Sequence, residues 1–457
     1  MIHLDDVISS TGAQLIQKGD HERFCGVSID SRTAKKGEVF FAVKGERFDG
    51  HDFIRQAIAQ GVGALVVSKD FCPQEESSSV SILKVADTVV ALGKLAQQRR
   101  RNTAIPFIAV TGSNGKTTSK EIIAAVLSQK YRVLKNTGTF NNHIGLPMTL
   151  LGLRPDHEAC VAELGTNHFG EITYLGGILE PDIGVITNIG LSHLEFFKNK
   201  AGVLKEKKSL VPFLKGPKIL FLNRDDALLK KIKIAAGVNV FYFGIDEASD
   251  VRASDISLIR NRVCFTLNKK HRFRLNSVGR FNVYNGLAAI GCGLVLGVSI
   301  KKIRSALEDF IFPLQRLRCI ECRGFSIFDD SYNSNPFSLQ QAITSLSEYK
   351  AAGRRIVVMG DMLELGERSS VFHKKIGDFI ARQPIDMLIT FGEFSKACAQ
   401  AAGNRNKQNR TVVTCDSKEE IVAFLKQYIK AGDALLIKGS RLLKMEEITA
   451  SLKNHAL

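Results

Sequence analysis

Residues 111–118 read Thr-Gly-Ser-Asn-Gly-Lys-Thr-Thr, between a β-like apolar run, Phe107-Ile-Ala-Val110, and a helix-like segment, Ser119 to Lys130. Gly112 and Gly115 let the backbone curl around an anion, the loop amides and the helix N-terminus supply positive potential, and Lys116 adds a point charge. Thr117 is placed to give its hydroxyl to Mg²⁺. This is the chemistry of a nucleotide-phosphate site, formed by Thr111, Gly112, Ser113, Asn114, Gly115, Lys116, Thr117 and Thr118. The usual pattern asks for a glycine five residues before the second glycine. Valine stands there at 110, so the loop is a variant, and alone it does not say what the phosphate transfer serves.

Strands must carry such a loop, and the chain supplies them. Cys160-Val-Ala-Glu163 and Ile183-Gly-Val-Ile-Thr-Asn188 are apolar runs ending in polar residues. Alternation of strands with helices predicts a mostly parallel sheet covered on both faces, with sites at the strands' carboxyl ends. Upstream, Gly26–Ile29, Val39–Val43 and Ala64–Val67 with the helical Phe53–Ile58 form a small α/β unit, and Pro73–Ser79 reads as a loop. Asp87 caps a connector helix at about 87–101 that ends in three arginines. A buried helix is expected over Leu287–Ile300. Beyond Phe312-Pro313 a new alternation, Phe325–Asp330, Arg355–Met359, Met387–Phe391 and Ala434–Ile437, predicts a Rossmann-like unit. The expected fold is α/β in three domains: 1–85, 86–312 and 313–457.

The 457 residues are 44% hydrophobic and 24% charged, the balance of a globular protein. The 63 Lys and Arg against 46 Asp and Glu leave a formal charge of +17, which implies anionic partners. The basic runs lack interleaved aromatics, Trp is absent, and no nucleic-acid-binding signature occurs, so no nucleic acid partner is expected. The nine cysteines are scattered; Cys319-Ile-Glu-Cys322 has metal or redox spacing but no second pair. No apolar run is long enough to span a membrane, and the start lacks a secretory pattern, so a cytoplasmic protein is expected; a monomer is expected too, though no residue pattern sets the oligomeric state.

The loop resembles that of the Mur ligases, ATP-dependent amide-forming enzymes of peptidoglycan precursor synthesis. Four further runs in the same order carry the resemblance: Asn136–Pro147, Glu163-Leu-Gly-Thr-Asn167, Thr187–Glu195 and Gly279-Arg-Phe-Asn-Val-Tyr-Asn285. In the C-terminal third, Asp329–Pro336, Gly360–Glu367 and Lys438-Gly-Ser-Arg441 are similar to the branch that adds D-alanyl-D-alanine to a UDP-N-acetylmuramoyl-tripeptide. Phe281, where that branch usually has His, and Leu442-Leu443 depart from it. The same chemistry on another acceptor, such as diaminopimelate, lysine or folate, is the nearest rival, and a nucleic-acid-stimulated ATPase the rival of another class.

The resemblance implies an acyl phosphate made from the ATP γ-phosphate, with Lys116 and Mg²⁺ neutralising the transferring charge. Glu163 is the implied Mg²⁺ ligand, or else a helix-capping carboxylate. His193 is implied to form a second metal site and to act in catalysis, or is a packed core histidine. Lys207 is implied to carry a CO₂-derived carbamate that faces Mg²⁺, a modification that needs a neutral amine; Lys205 and Lys208 are alternatives in register. Asn282 and Asn285 are implied at the adenine and Arg316 at the ribose or phosphates, unless the asparagines cap a helix. Ser31, Arg32, Lys44, Asp49 and His51 match the part that holds the UDP-sugar. Asn333, Asn335 and Asp361 are candidates for gripping the dipeptide, with turn formation as their alternative.

Overall fold

The computed structural model describes residues 1–45, 48–70, 78–138, 140–404, 410–453 and 455. The apolar runs become strands of three main sheets, of five, nine and six strands. Residues 73–77 of the expected 73–79 loop lie outside the described residues.

The five-stranded sheet runs Gln14–Gln17, Ser81–Val85, Ala64–Ser68, Val39–Phe41, Val27–Ser28, parallel except at Gln14–Gln17. Asp87 then caps the helix Thr88–Arg101, its Oδ1 accepting from the amides of Val89 (2.7 Å) and Val90 (2.9 Å). Arg100 in the last turn donates to the carbonyls of Leu179 (2.8 Å) and Glu180 (2.7 Å), tying this connector to the middle of the chain.

In the nine-stranded sheet Phe107–Thr111 lies between Ala159–Glu163 and Ile183–Ile186, all three parallel. The chain leaves Phe107–Thr111 toward one edge and returns on its other side. That makes a crevice at the carboxyl ends of these strands, the place where open α/β sheets bind ligands. All three strands are buried along their whole length, as a parallel sheet covered by helices requires.

Two elements differ from expectation. Val251–Ile259, Arg262–Leu267 and His271–Leu275 extend this sheet as antiparallel hairpins. The first is closed by Arg260-Asn261, both at positive φ (48° and 59°), the backbone of a two-residue hairpin turn. The buried helix runs Asn282–Val295 and the chain turns at Gly297. Its first turn is buried through asparagine hydrogen bonds, which an apolar pattern does not register.

The six-stranded sheet orders Arg318–Glu321, Ser326–Asp329, Ala434–Lys438, Arg355–Gly360, Met387–Phe391 and Thr411–Cys415. Every neighbouring pair is parallel except the first. The loops after Asp329, Gly360 and Lys438 therefore emerge at one end, facing the crevice of the nine-stranded sheet.

Candidate active site

The phosphate loop is held rigidly before any ligand is considered. Thr187 Oγ1 (2.6 Å) and Asn188 Nδ2 (3.0 Å) both donate to the Asn114 carbonyl, and Asn188 Oδ1 accepts from the Asn114 amide (3.0 Å). Ser113 Oγ accepts from the Gly190 amide at 2.8 Å. Gly112 and Gly115 have φ of 150° and 79°. A Cβ at Gly112 would lie 1.9 Å from Thr187 Oγ1, and one at Gly115 would lie 2.5 Å from Asn285 Oδ1. Both glycines are therefore required by close approach as well as by φ.

A cavity of about 1670 Å³ opens over the loop and is lined by Ser113 to Thr118, Glu163, His193, Asn282, Asn285, Arg316, Asn333 and Asn335, among others. That exceeds the usual ~300–1,000 Å³ of a small-ligand pocket, and suits a nucleotide beside an extended second substrate. Thr111 and Gly112 do not line it; Thr111 donates its hydroxyl to the Leu164 carbonyl at 3.1 Å and fixes the base of the loop.

Glu163 ends its strand 1% exposed. Its Oε1 accepts from Asn141 Nδ2 at 2.7 Å, while Oε2 has no partner among the described residues. An ionised oxygen left bare at a cavity floor is costly unless a cation meets it. The Thr117 hydroxyl and His193 line the same cavity, and although no three His, Cys, Asp or Glu side chains gather at one point among the described residues, the bare Glu163 oxygen is a donor that suits a hard divalent ion such as Mg²⁺ completed by phosphate and water oxygens. The capping alternative does not apply, since the helix that follows has Gly170 at its N-cap and takes its amide contacts from Glu206.

Lys116 folds back onto the carbonyls of Gly112 (3.0 Å) and Ser113 (3.4 Å). Burial pushes its pKa down, partly offset by Glu163. Lys207, in the helix Lys200–Lys208, is 1% exposed. Desolvation, and then the Lys116 charge, hold its pKa well below the ordinary lysine value. Its neighbour Glu206 gives little relief, because that carboxylate accepts from Gly170 N (2.9 Å), Ile172 N (2.7 Å) and Thr166 Oγ1 (3.3 Å). Lys207 lies behind the cavity wall rather than on it. Lys205 sits over the Phe169 ring, and with Lys208 it lines a separate surface pocket.

Asn282 and Asn285 do not cap their helix. Asn285 Nδ2 donates to Asn282 Oδ1 (2.8 Å), Asn282 Nδ2 to Ser277 Oγ (2.8 Å), and Ser119 Oγ to Asn285 Oδ1 (3.0 Å), bracing the helix against the phosphate-loop helix. Beside them Tyr284 donates to Asp225 Oδ2 at 2.9 Å, and both line the cavity. Burial raises the Tyr284 pKa and Asp225 raises it further.

Three contacts bring the C-terminal sheet onto this machinery. Arg316 Nη2 donates to Thr117 Oγ1 at 3.2 Å, its guanidinium stacked 3.7 Å from the centroid of Tyr332. Asn335 Nδ2 donates to Asn114 Oδ1 at 2.7 Å while its Oδ1 caps the helix Pro336–Glu348. Glu364 Oε2 lies 2.7 Å from His193 Nδ1, and the imidazole holds that carboxyl below its ordinary pKa.

Other expected residues have protein partners in this structure. Asn333 faces the cavity, yet its Oδ1 accepts from the amides of Ser334 (2.8 Å) and Arg441 (3.4 Å). Asp361 is off the cavity wall, accepting from the amides of Ser395 (2.7 Å) and Phe394 (3.2 Å) at the start of a helix. Ser31, Arg32, Lys44, Asp49 and His51 also lie off that wall. Ser31 donates to Gln56 (2.8 Å), Arg32 pairs with Asp30 (2.6 Å), and Lys44 is 3.8 Å from Asp49. His51 bridges Asp49 Oδ1 (2.6 Å) and the Ser68 amide (3.0 Å). The sequence reasoning missed Asn141, Asp225, Tyr284 and Glu364. Their signal was present: Asn141, Tyr284 and Glu364 fall inside the runs quoted above, and Asp225 follows an apolar strand.

Comparison with known proteins agrees with this geometry. Family models match residues 23–100 (Mur ligase family, catalytic domain), 110–293 (Mur ligase middle domain) and 315–441 (Mur ligase, glutamate ligase domain). The UDP-N-acetylmuramoyl-tripeptide–D-alanyl-D-alanine ligase of Bacillus subtilis is 35% identical over 93% of both chains. That of Escherichia coli is 34% identical over 94% of both. A crystal structure of MurF from Acinetobacter baumannii superposes with a TM-score of 0.90 at 32% identity, covering 99% of this chain and 98% of that one. MurF ligase from Thermotoga maritima in complex with ADP gives 0.82 at 28% identity over 94% and 97%. The chain belongs to the Mur ligase family.

Proposed function

We propose that this chain is the ATP-dependent ligase that joins D-alanyl-D-alanine to UDP-N-acetylmuramoyl-tripeptide in peptidoglycan precursor synthesis. The relatives that match nearly its whole length carry that activity in their names. The observation that carries the assignment is the unpartnered Glu163 oxygen, set in one cavity with the phosphate loop and with loops of the C-terminal sheet.

Joining a carboxylate to an amine in water requires an activated carboxyl. The tripeptide carboxylate oxygen attacks the ATP γ-phosphorus and ADP leaves. The dipeptide amine then attacks the acyl carbon, and phosphate leaves with one former carboxylate oxygen. Lys116, the loop amides and Arg316 bind and orient the phosphates and offset their charge. Mg²⁺, held by Thr117 and Glu163 with a second ion at His193, would supply Lewis-acid neutralisation of that charge. The braced pair Asn282 and Asn285 fixes the loop's far side, with Tyr284 and Asp225 beside the base.

Lys207 is assigned the carbamate. Its depressed pKa favours the neutral amine that reacts with CO₂, and the carbamate would remove the mismatch of a second buried cation beside Lys116. Lys205 lacks that environment. We place the enzyme in the cytoplasm, with ATP and the soluble nucleotide precursor. No helix among the described residues is long and apolar enough to cross a membrane.

Oxygen transfer tests this function. Tripeptide substrate labelled with ¹⁸O in its terminal carboxylate should yield one labelled oxygen in each phosphate released. Unlabelled phosphate would contradict the acyl phosphate.

A further inference from the structure

His193 and Glu364 are both non-glycine residues in left-handed backbone, at φ 50° and 61°. Such conformations persist only where the surroundings over-determine them, and they gather at functional sites. The two residues come from different sheets: His193 follows the strand Ile183–Ile186, and Glu364 follows Arg355–Gly360. Their side chains nevertheless meet, Oε2 to Nδ1, at 2.7 Å, an ion-pair approach whose angles leave Nδ1 without an aligned hydrogen bond until the ring or the carboxylate turns. The imidazole is also set edge-on to Phe197, with centroids 6.3 Å apart. The hydrogen bonds from Arg316 and Asn335 end on the phosphate loop. The Glu364 contact ends on the histidine assigned to the metal.

We propose that Glu364 is a positioning residue: when the C-terminal domain docks, its carboxylate takes Nδ1 of His193 and leaves Nε2 as the nitrogen presented to the divalent cation. This rests on the functional assignment above only through the role of His193. A histidine ligand is commonly fixed by a carboxylate on its other ring nitrogen, which sets tautomer and orientation and raises basicity. Here the orienting carboxylate arrives from another domain. Cation affinity would thus depend on docking, so that the metal site is complete only when the C-terminal loops already cover the phosphate loop. Strain at both backbones fits this use, because each side chain must be aimed from a turn rather than from a regular element.

The test uses the full-length protein with ADP, and Mn²⁺ as a spectroscopic probe in place of Mg²⁺. Glu364→Ala should weaken Mn²⁺ binding, read by electron paramagnetic resonance, by about 10–100-fold. Glu364→Gln should weaken it less, and Glu364→Asn, which tolerates left-handed backbone, should behave like Ala and separate the missing carboxylate from a misfolded turn. Glu393→Gln, an exposed carboxylate off the cavity wall, should leave binding unchanged. In turnover assays the Mg²⁺ concentration for half-maximal rate should rise while the KM for the nucleotide-peptide stays put. Mn²⁺ affinity within twofold of the parent in both Glu364→Ala and Glu364→Asn would overturn the proposal, as would an equal loss in Glu393→Gln. The metal-binding readout does not depend on ligation, so absent ligation with weakened Mn²⁺ binding would overturn the functional assignment and leave Glu364 in its place.

Discussion

One oxygen of Glu163 is held by Asn141 and the other meets no donor among the described residues, and this asymmetry governs what its replacement does. Glu163→Gln keeps the shape and can keep the bond to Asn141, but removes the charge offered to the cavity. Turnover should fall by about 10²-fold or more with little change in melting temperature; near-normal turnover would make Glu163 a structural carboxylate. Lys207 should respond differently. Without its carbamate a buried lysine lacking a carboxylate to itself opposes folding, so Lys207→Met should abolish ligation while melting above the CO₂-free parent, and differential scanning calorimetry in CO₂-free buffer beside the activity assay checks both. The cysteines separate by burial: desolvation pushes Cys160 and Cys398 up to about 12 and Cys415 to about 11, whereas Cys25 is exposed. Among the described cysteines, alkylation of the native protein followed by peptide mass mapping should label Cys25 first and leave the buried three unmodified. At this scale the phosphate loop was legible, because glycine, lysine and threonine at fixed spacing have few other uses. Asp361 and His51 were less so, because a short polar side chain that grips a ligand and one that caps a turn leave the same mark in a sequence, and both are seen here with protein partners.

Elements are decided by packing that no local pattern contains. Gly291, in the helix Asn282–Val295, illustrates it: a Cβ there would lie 2.5 Å from Cε1 of Phe221, on the strand Ile219–Asn223. Alanine is intrinsically the better helix former by about 1 kcal/mol, yet overpacking a close-packed interior costs roughly 1–3 kcal/mol. Packing should win, so Gly291→Ala should lower the urea midpoint; a higher midpoint would mean the sheet yields. The parallel strands were readable from continuous apolar runs, and the helix after Asp87 from its cap. The hairpins over Val251–Leu275 were not. Their outward residues mix charged, polar and apolar types, with Ser257 and Ile259 exposed beside Asp255, which blurs the inward-outward alternation that marks a half-exposed antiparallel extension.

Across the whole molecule, the site exists because the six-stranded sheet presents its loops to the crevice of the nine-stranded one. Three contacts, from Arg316, Asn335 and Glu364, make that juxtaposition, and none could be inferred from spacing, since each joins residues far apart in the chain. Arg316→Ala should weaken ATP binding and slow turnover together, measured as a higher KM for ATP with a lower kcat. The formal charge of +17 suits substrates that carry diphosphate and carboxylate groups, and their capture should weaken as salt screens it.

The most direct measurement is phosphate release together with product mass, using purified protein, ATP, Mg²⁺ and UDP-N-acetylmuramoyl-tripeptide, with and without D-alanyl-D-alanine. Phosphate release that requires both substrates, with a product heavier by the dipeptide less one water, is the predicted result. Folded, ATP-binding protein that releases no phosphate and forms no such product would contradict the assignment.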